Sequence, residues 1–229
     1  MHDRRGRVWK YRRLATGRLI ICATATILAA SAIGKPAIAA CVGNDVLFSD
    51  NFSKPDASWR PTDGAAFRDK RYVVTLQPNG TIIDWPSAFV FDGNYSVCVQ
   101  VKLPIDPTGA AGSGIAFWVD PEPNPNGTYN YYMAVASPDK YYWVSRVFKG
   151  NRSDVVTVAQ GDLIKTGAND TNEVSVTLKG NEGTFIINGK EVGKFKGQPP
   201  KESYAGITAG SPLDKKYVIE FSDFRVTRP

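Results

Sequence analysis

The chain has 229 residues, 42% of them hydrophobic and 22% charged, with a formal net charge of +6. The positive excess lies in residues 1–40: without their eight Lys or Arg and one Asp, 20 basic and 21 acidic side chains remain, a net charge of −1. That balance argues against nucleic-acid binding. The only histidine, His2, also lies in this stretch, so residues 41–229 hold neither a Ser-His-Asp or Cys-His system nor the usual imidazole-bearing zinc site.

The first forty residues read as a secretory signal. A basic start running from Arg4 to Arg18 precedes the apolar run LIICATATILAASAI and the small-residue stretch PAIAA, with Ala37–Ile38–Ala39 as the exit. The apolar run is too short for a stable bilayer span, and a retained anchor or twin-arginine export is the lesser alternative. Residues 41–229 are expected to be one secreted or periplasmic domain with no membrane span. Two cysteines remain there, Cys41 and Cys98, and an oxidising compartment favours a disulfide between them. Ile38–Ala39–Ala40–Cys41 also has the look of a bacterial lipobox, whose cysteine would carry lipid. The preceding segment is polar and broken by proline, which favours the disulfide.

Beyond residue 44 helical periodicity is almost absent. Short β-branched and aromatic runs recur between clusters of Gly, Pro, Asn and Asp. They predict strands over 45–52, 71–77, 81–84, 88–91, 95–103, 113–119, 129–136, 140–148, 153–159, 172–179, 182–188, 191–195, 204–210 and 215–227, an all-β sandwich or barrel. Asp84–Trp85, before Pro86, reads as a capped strand end, with a rim contact as the alternative. DPEPNPNG, with three prolines in residues 120–127, is a stiff exposed loop. Pro138–Asp139 marks a tight turn between two aromatic strands, and Asn188–Gly189 a two-residue hairpin of type I′, which needs positive φ at both positions.

Residues 129–150 hold five tyrosines and Trp143, and strand alternation sorts them by face. Over 113–119 one set is Ile115, Phe117 and Val119; the other is Ala116 and Trp118, with Asp120 next in phase. Over 129–136 Tyr129, Tyr131, Met133 and Val135 alternate with Asn130, Tyr132 and Ala134. Over 140–148 Tyr141, Trp143, Ser145 and Val147 alternate with Tyr142, Val144 and Arg146. The mixed sets supply Trp118, Asp120, Asn130, Tyr132, Tyr142 and Arg146, in which rings stand beside carboxylate, amide and guanidinium. Sugars need that chemistry, since their C–H faces stack on rings while their hydroxyls seek polar partners. These six residues are the expected ligand site, with Tyr131, Met133 and Trp143 in the core. Packing of the same rings beneath a loop is the structural alternative.

The motifs DVLFSDNF, GIAFWVD, YYMAVASPDKYYWVSR, NEVSVTLKGNEGTFIINGKEVGKF, YAGITAG and IEFSDFRVT, in this order, resemble the concanavalin A-like lectin/glucanase superfamily. The resemblance spans residues 44–229 and points to a bacterial secreted branch near laminin G-like and 3-keto-disaccharide hydrolase-like domains. It implies a jelly roll of two large antiparallel sheets, one of them concave. Glucanase relatives carry Glu-x-Asp-x-x-Glu on the catalytic strand. This chain has no such triplet, Glu220 and Asp223 coming nearest, so no catalytic residue is nominated. Asp50 and Asp223 are the residues that could help hold a structural calcium, but no dense ligand loop accompanies them, and no metal or cofactor is expected. The expected function is a non-catalytic carbohydrate-binding module whose partner is a glycan or oligosaccharide. The alternatives are a glycoside-cleaving enzyme using Asp120 with Tyr132 and Arg146 as orienting groups, or an adhesion domain that contacts another protein.

Overall fold

The computed structural model describes residues 41–106 and 111–229. The expected leader over 1–40 lies outside the described residues. The described chain is two packed antiparallel sheets, a jelly-roll sandwich rather than a barrel. The larger has eight strands: β1 (Asp45–Asp50), β2 (Ala65–Arg68), β3 (Arg71–Leu76), β6 (Tyr95–Lys102), β11 (Asn172–Lys179), β12 (Glu182–Ile187), β13 (Lys190–Lys196) and β15 (Tyr217–Arg228). The smaller has seven: β4 (Thr81–Asp84), β5 (Phe91–Asp92), β7 (Ser113–Val119), β8 (Tyr131–Ala136), β9 (Tyr141–Phe148), β10 (Asn151–Gln160) and β14 (Glu202–Gly210). The large sheet runs β13-β12-β11-β6-β15-β3-β2, with β1 also on β15. The small one runs β10-β9-β8-β7-β14-β4, with β5 also on β14.

Alternation along these strands builds the core, because every second side chain of each sheet meets the other sheet. Val97, Val99 and Val101 of β6 and Val174, Val176 and Leu178 of β11 face Ile115 and Phe117 of β7, Ala134 of β8, Val144 of β9 and Ile207 of β14. All of these are fully buried. Two β-bulges change the phase. In β7, Ala116 to Val119 opposes Gly206 to Tyr204 of β14, three steps against two, and Trp118 takes φ +46°. In β15, Ser222 to Arg225 opposes Gln100 to Cys98, and Asp223 takes φ +52°. An extra residue resets the alternation. The inward set of β15 therefore passes from Tyr217, Ile219 and Phe221 to Phe224 and Val226.

The turns follow local chemistry. Asn188 and Gly189 take φ +49° and +77°, the expected type I′ hairpin. Asp69–Lys70, at φ +50° and +60°, closes a second such hairpin without glycine, and its first strand, β2, is absent from the sequence-based list. Cys41 and Cys98 form the expected disulfide, tying the N-terminal segment to β6.

Candidate binding site on the outer face of the small sheet

The expected platform residues share one face of the small sheet, but it is the inner one. Tyr132 lies opposite both Phe117 and Arg146 in the ladder, and Ala136 lies opposite Tyr142, so these residues point where Phe117 points, toward the large sheet. The β7 bulge turns Trp118 to the same side. Its indole meets the Tyr132 ring edge-on at 5.0 Å and lies 6.0 Å from Phe195. Trp118 is 2% exposed and Tyr132 4%, and the Tyr132 hydroxyl accepts a hydrogen bond from the Gln198 amide at 2.9 Å. Tyr142 is half-buried against Phe185, and Arg146 lies over the Phe148 ring at 4.4 Å. A solvent-facing platform of Trp118, Tyr132, Tyr142 and Arg146 is thus not what the fold builds. Period-two alternation groups residues by face without saying which face is wet, and the bulge moved Trp118 from the Ala116 set.

Asp120 and Asn130 stand together as expected, and they clamp a loop. The Asn130 side-chain amide donates to Asp120 at 2.8 Å, and the Asp120 backbone amide donates to the Asn130 carbonyl at 2.9 Å. Asn130 Oδ1 accepts from Asn124 and from the Lys149 amide, both at 2.9 Å. This closes the proline-rich loop at its base and fixes the neighbouring Tyr129.

Tyr129 belongs to the cluster that the outer face presents. Trp85, following β4, stacks on Tyr204 of β14 with ring centroids 5.5 Å apart and an interplanar angle of 19°. Tyr129 meets Trp85 edge-on at 5.0 Å. All three rings are half-buried. With Arg60, Thr62, Ser87 and Pro121 they line a cavity of about 310 Å³. Three local features put them there. Tyr204 alternates outward between Ser203 and Ala205, both buried. Gly206 lets the chain at Asp84–Trp85 cross closely, since a Cβ at that position would sit 2.0 Å from the Asp84 carbonyl oxygen. The Ser87 amide and hydroxyl both donate to the Ser58 carbonyl at 3.0 Å, holding the 58–60 segment beside Trp85.

Asp84 underlies this cluster and is 6% exposed. Its carboxylate accepts from the Tyr72 hydroxyl and from the Trp85 amide at 2.8 Å. Burial pushes its pKa up to about 6, against the opposing pull of Tyr72 and of the Trp85 and Arg60 amides. Burial, and secondarily Asp84, pushes the Tyr72 hydroxyl up as well.

Farther along the outer face the expected core trio of Tyr131, Met133 and Trp143 is found. Tyr131 and Met133 are half-buried, whereas Trp143 is buried as expected, covered by the Arg152 guanidinium 5.1 Å from its ring centroid. Arg152 donates to Ser145 Oγ at 2.9 Å and pairs with Asp154 at 3.3 Å. A larger opening of about 710 Å³ lies by β1 and β5, but its Phe91 is buried and its Phe89 packs on Phe48 at 4.4 Å. It presents a single half-buried ring, Phe89, where the smaller cavity presents three. Sequence reading offered Asp84–Trp85 only as an alternative rim contact and missed Tyr204 and Arg60, because these residues lie on segments distant in the chain.

The Asp50 oxygens accept from the Phe52 amide at 2.6 Å and the Asp56 amide at 2.7 Å, shaping the loop after β1. Among the described residues no group of three or more His, Cys, Asp or Glu is arranged to hold a metal.

No protein-family model and no curated protein matches this chain in sequence. Solved structures do match it in shape. A Bacillus subtilis protein of unknown function with a galectin-like fold superposes with a TM-score of 0.63 at 14% identity, over 82% of this chain and 98% of that one. The carbohydrate binding module CBM66 from Bacillus subtilis gives 0.58 at 12%, over 74% and 95%. The Bacillus licheniformis beta-glucanase gives 0.59 at 10%, over 81% and 99%. These likenesses show the fold, a jelly-roll sandwich shared with a galectin-like protein, a carbohydrate binding module and a glucanase.

Within this sandwich the residues nearest to a glucanase triplet are engaged elsewhere. Glu220 lies on β15 of the large sheet, where Arg71 at 3.2 Å and Lys102 at 3.1 Å hold its carboxylate. Asp223 forms the β15 bulge. Neither belongs to the sheet that carries the aromatic cavity.

Proposed function

We propose that the protein is a secreted carbohydrate-binding β-sandwich whose ligand site is the outer face of the small sheet, centred on Trp85, Tyr204 and Tyr129. The observation that carries this reading is the half-buried Trp85–Tyr204 stack with Tyr129 edge-on, lining one cavity. Rings left partly open to water keep free area on which the C–H face of a sugar desolvates favourably. Thr62 and Ser87 bring hydrogen-bonding groups for its hydroxyls. Asp120 and Asn130 act here as positioning residues for Tyr129 rather than as ligands themselves. Hydrolysis is less well supported. The usual glycosidase uses two carboxyl groups flanking the bond, whereas the carboxylate lining this cavity is Asp84 alone, already engaged by Tyr72 and Trp85. The names of the superposing structures, a carbohydrate binding module and a beta-glucanase, agree with a glycan partner. The Cys41–Cys98 disulfide accords with export into an oxidising compartment.

A glycan array on the chain from Cys41 onward tests the reading. Trp85→Ala and Tyr204→Ala should each weaken any bound oligosaccharide at least tenfold, about 1.4 kcal/mol, with little change in Tm. Retention of full affinity in both variants would refute the site.

A further inference from the structure

We propose that the glycan taken at this cavity is acidic, with a sugar carboxylate of the uronate type bound by the guanidinium of Arg60. The inference rests on the proposed carbohydrate site and specifies its ligand class. Arg60 is exposed and lines the cavity beside the stacked rings. Its place there is fixed from two sides. The neighbouring Ser58 carbonyl is bonded to Ser87, and the Arg60 backbone amide reaches the Asp84 carboxylate. The buried Trp59 points the opposite way, 5.4 Å from Phe224, which leaves the Arg60 side chain on the cavity side of the chain.

Three arginines of the fold are paired, Arg71 with Glu220 at 3.2 Å, Arg152 with Asp154 at 3.3 Å and Arg228 with Asp45 at 3.1 Å, whereas Arg68, Arg146 and Arg225, which do not line this cavity, carry no such pair among the described residues. Among the described residues Arg60 has no carboxylate within ion-pair distance. The acid that lines the same cavity, Asp84, is buried and spends its oxygens on Tyr72 and on backbone amides. The cavity therefore offers an open cation, three aromatic rings and no free carboxylate. A guanidinium presents a planar pair of donors that matches a carboxylate in two parallel hydrogen bonds. A neutral sugar could stack on the rings but would leave that fork to water; a uronate uses both.

The test is direct binding of the protein to a panel of oligosaccharides in matched neutral and acidic forms: galacturonate, glucuronate and mannuronate oligomers against their methyl esters, with dextran sulfate as a general polyanion. The expected result is at least a tenfold preference for one free acid over its ester. That preference should vanish in Arg60→Gln through loss of affinity for the free acid, and Trp85→Ala should weaken both forms. Equal affinity for acid and ester, unaffected by Arg60→Gln but lost in Trp85→Ala, would overturn the acidic ligand and leave the carbohydrate site standing. Dextran sulfate binding that survives Trp85→Ala and exceeds every uronate would overturn it too, revealing a site of charge alone. Absence of binding to every glycan of either form would refute the carbohydrate site itself.

Discussion

Trp118 and Tyr132 have the chemistry of a sugar platform and the surroundings of a core. Trp118 packs against Phe117, Tyr132 and Phe195, and a Cβ at Gly197 would collide with its ring at 2.3 Å. Removing such a ring forfeits its transfer energy and leaves a cavity that closes incompletely, so Tyr132→Ala should cost about 3–5 kcal/mol in denaturant unfolding. A loss below about 1 kcal/mol would show that the ring is not packed as described. Asp84 makes a prediction of opposite character. Its folded pKa of about 6 lies above the ordinary 3.8, so the folded state binds this proton more tightly than the unfolded chain does. The stability tied to that proton is complete below about pH 4 and is lost as pH rises toward 6, by about 1–3 kcal/mol in all. An amide at this position cannot ionise. The Tm of the parent protein minus that of Asp84→Asn should therefore fall as pH rises across about 4–6; a constant difference would contradict the assigned burial.

At the level of strands, the 172–196 hairpin pair shows how a turn residue can also serve as a tie. Asn188 holds φ +49° in the type I′ turn, while its side chain accepts from the Glu173 amide at 2.9 Å and donates to the Leu163 carbonyl at 2.7 Å. Gly189 follows at φ +77° with no atom within 4 Å of where a Cβ would sit. A side chain there meets no clash, only the cost of the left-handed backbone. Gly189→Val should accordingly lower stability by about 1–2 kcal/mol. An unchanged Tm would mean that the turn relaxes to another type. The two bulges work at the same scale but cannot be seen in a strand list. Each inserts one residue with positive φ, Trp118 or Asp223, and reverses which residues face inward beyond it.

For the whole molecule, the disulfide and the two-faced small sheet matter most. Cys41–Cys98 joins positions 57 residues apart, anchoring the N-terminal segment to the strand between β11 and β15. Closing a loop of that length restricts the unfolded chain, and reduction should lower stability by about 3–4 kcal/mol. Intact mass of the oxidised protein should be two hydrogens below that of the reduced form. A lipid adduct on Cys41 would instead establish the lipoprotein alternative. The small sheet separates two duties on its two surfaces, stability inside and the proposed binding outside. Variants at Tyr132 and at Trp85 are expected to part cleanly between unfolding and binding measurements.

The sequence by itself determined the class of fold, most of the strands, the Asn188–Gly189 hairpin and the disulfide. Each follows from interactions between near neighbours, from an alternation of period two, or from there being two cysteines to pair in residues 41–229. It also placed Tyr132, Tyr142 and Arg146 on a common face, since residues of adjacent strands keep phase through short turns. Tertiary structure alone decided that this is the inner face, closed over Tyr132 and half-closed over Tyr142 and Arg146, because alternation is symmetric until a second sheet covers one side. Only the fold brings Arg60, Trp85, Tyr129 and Tyr204 together. They come from four segments that meet where β4 and β14 pair and where Gly206 lets the chain pass closely at Asp84–Trp85. No local pattern encodes that meeting, since it depends on strand order and on the absence of a side chain at one residue.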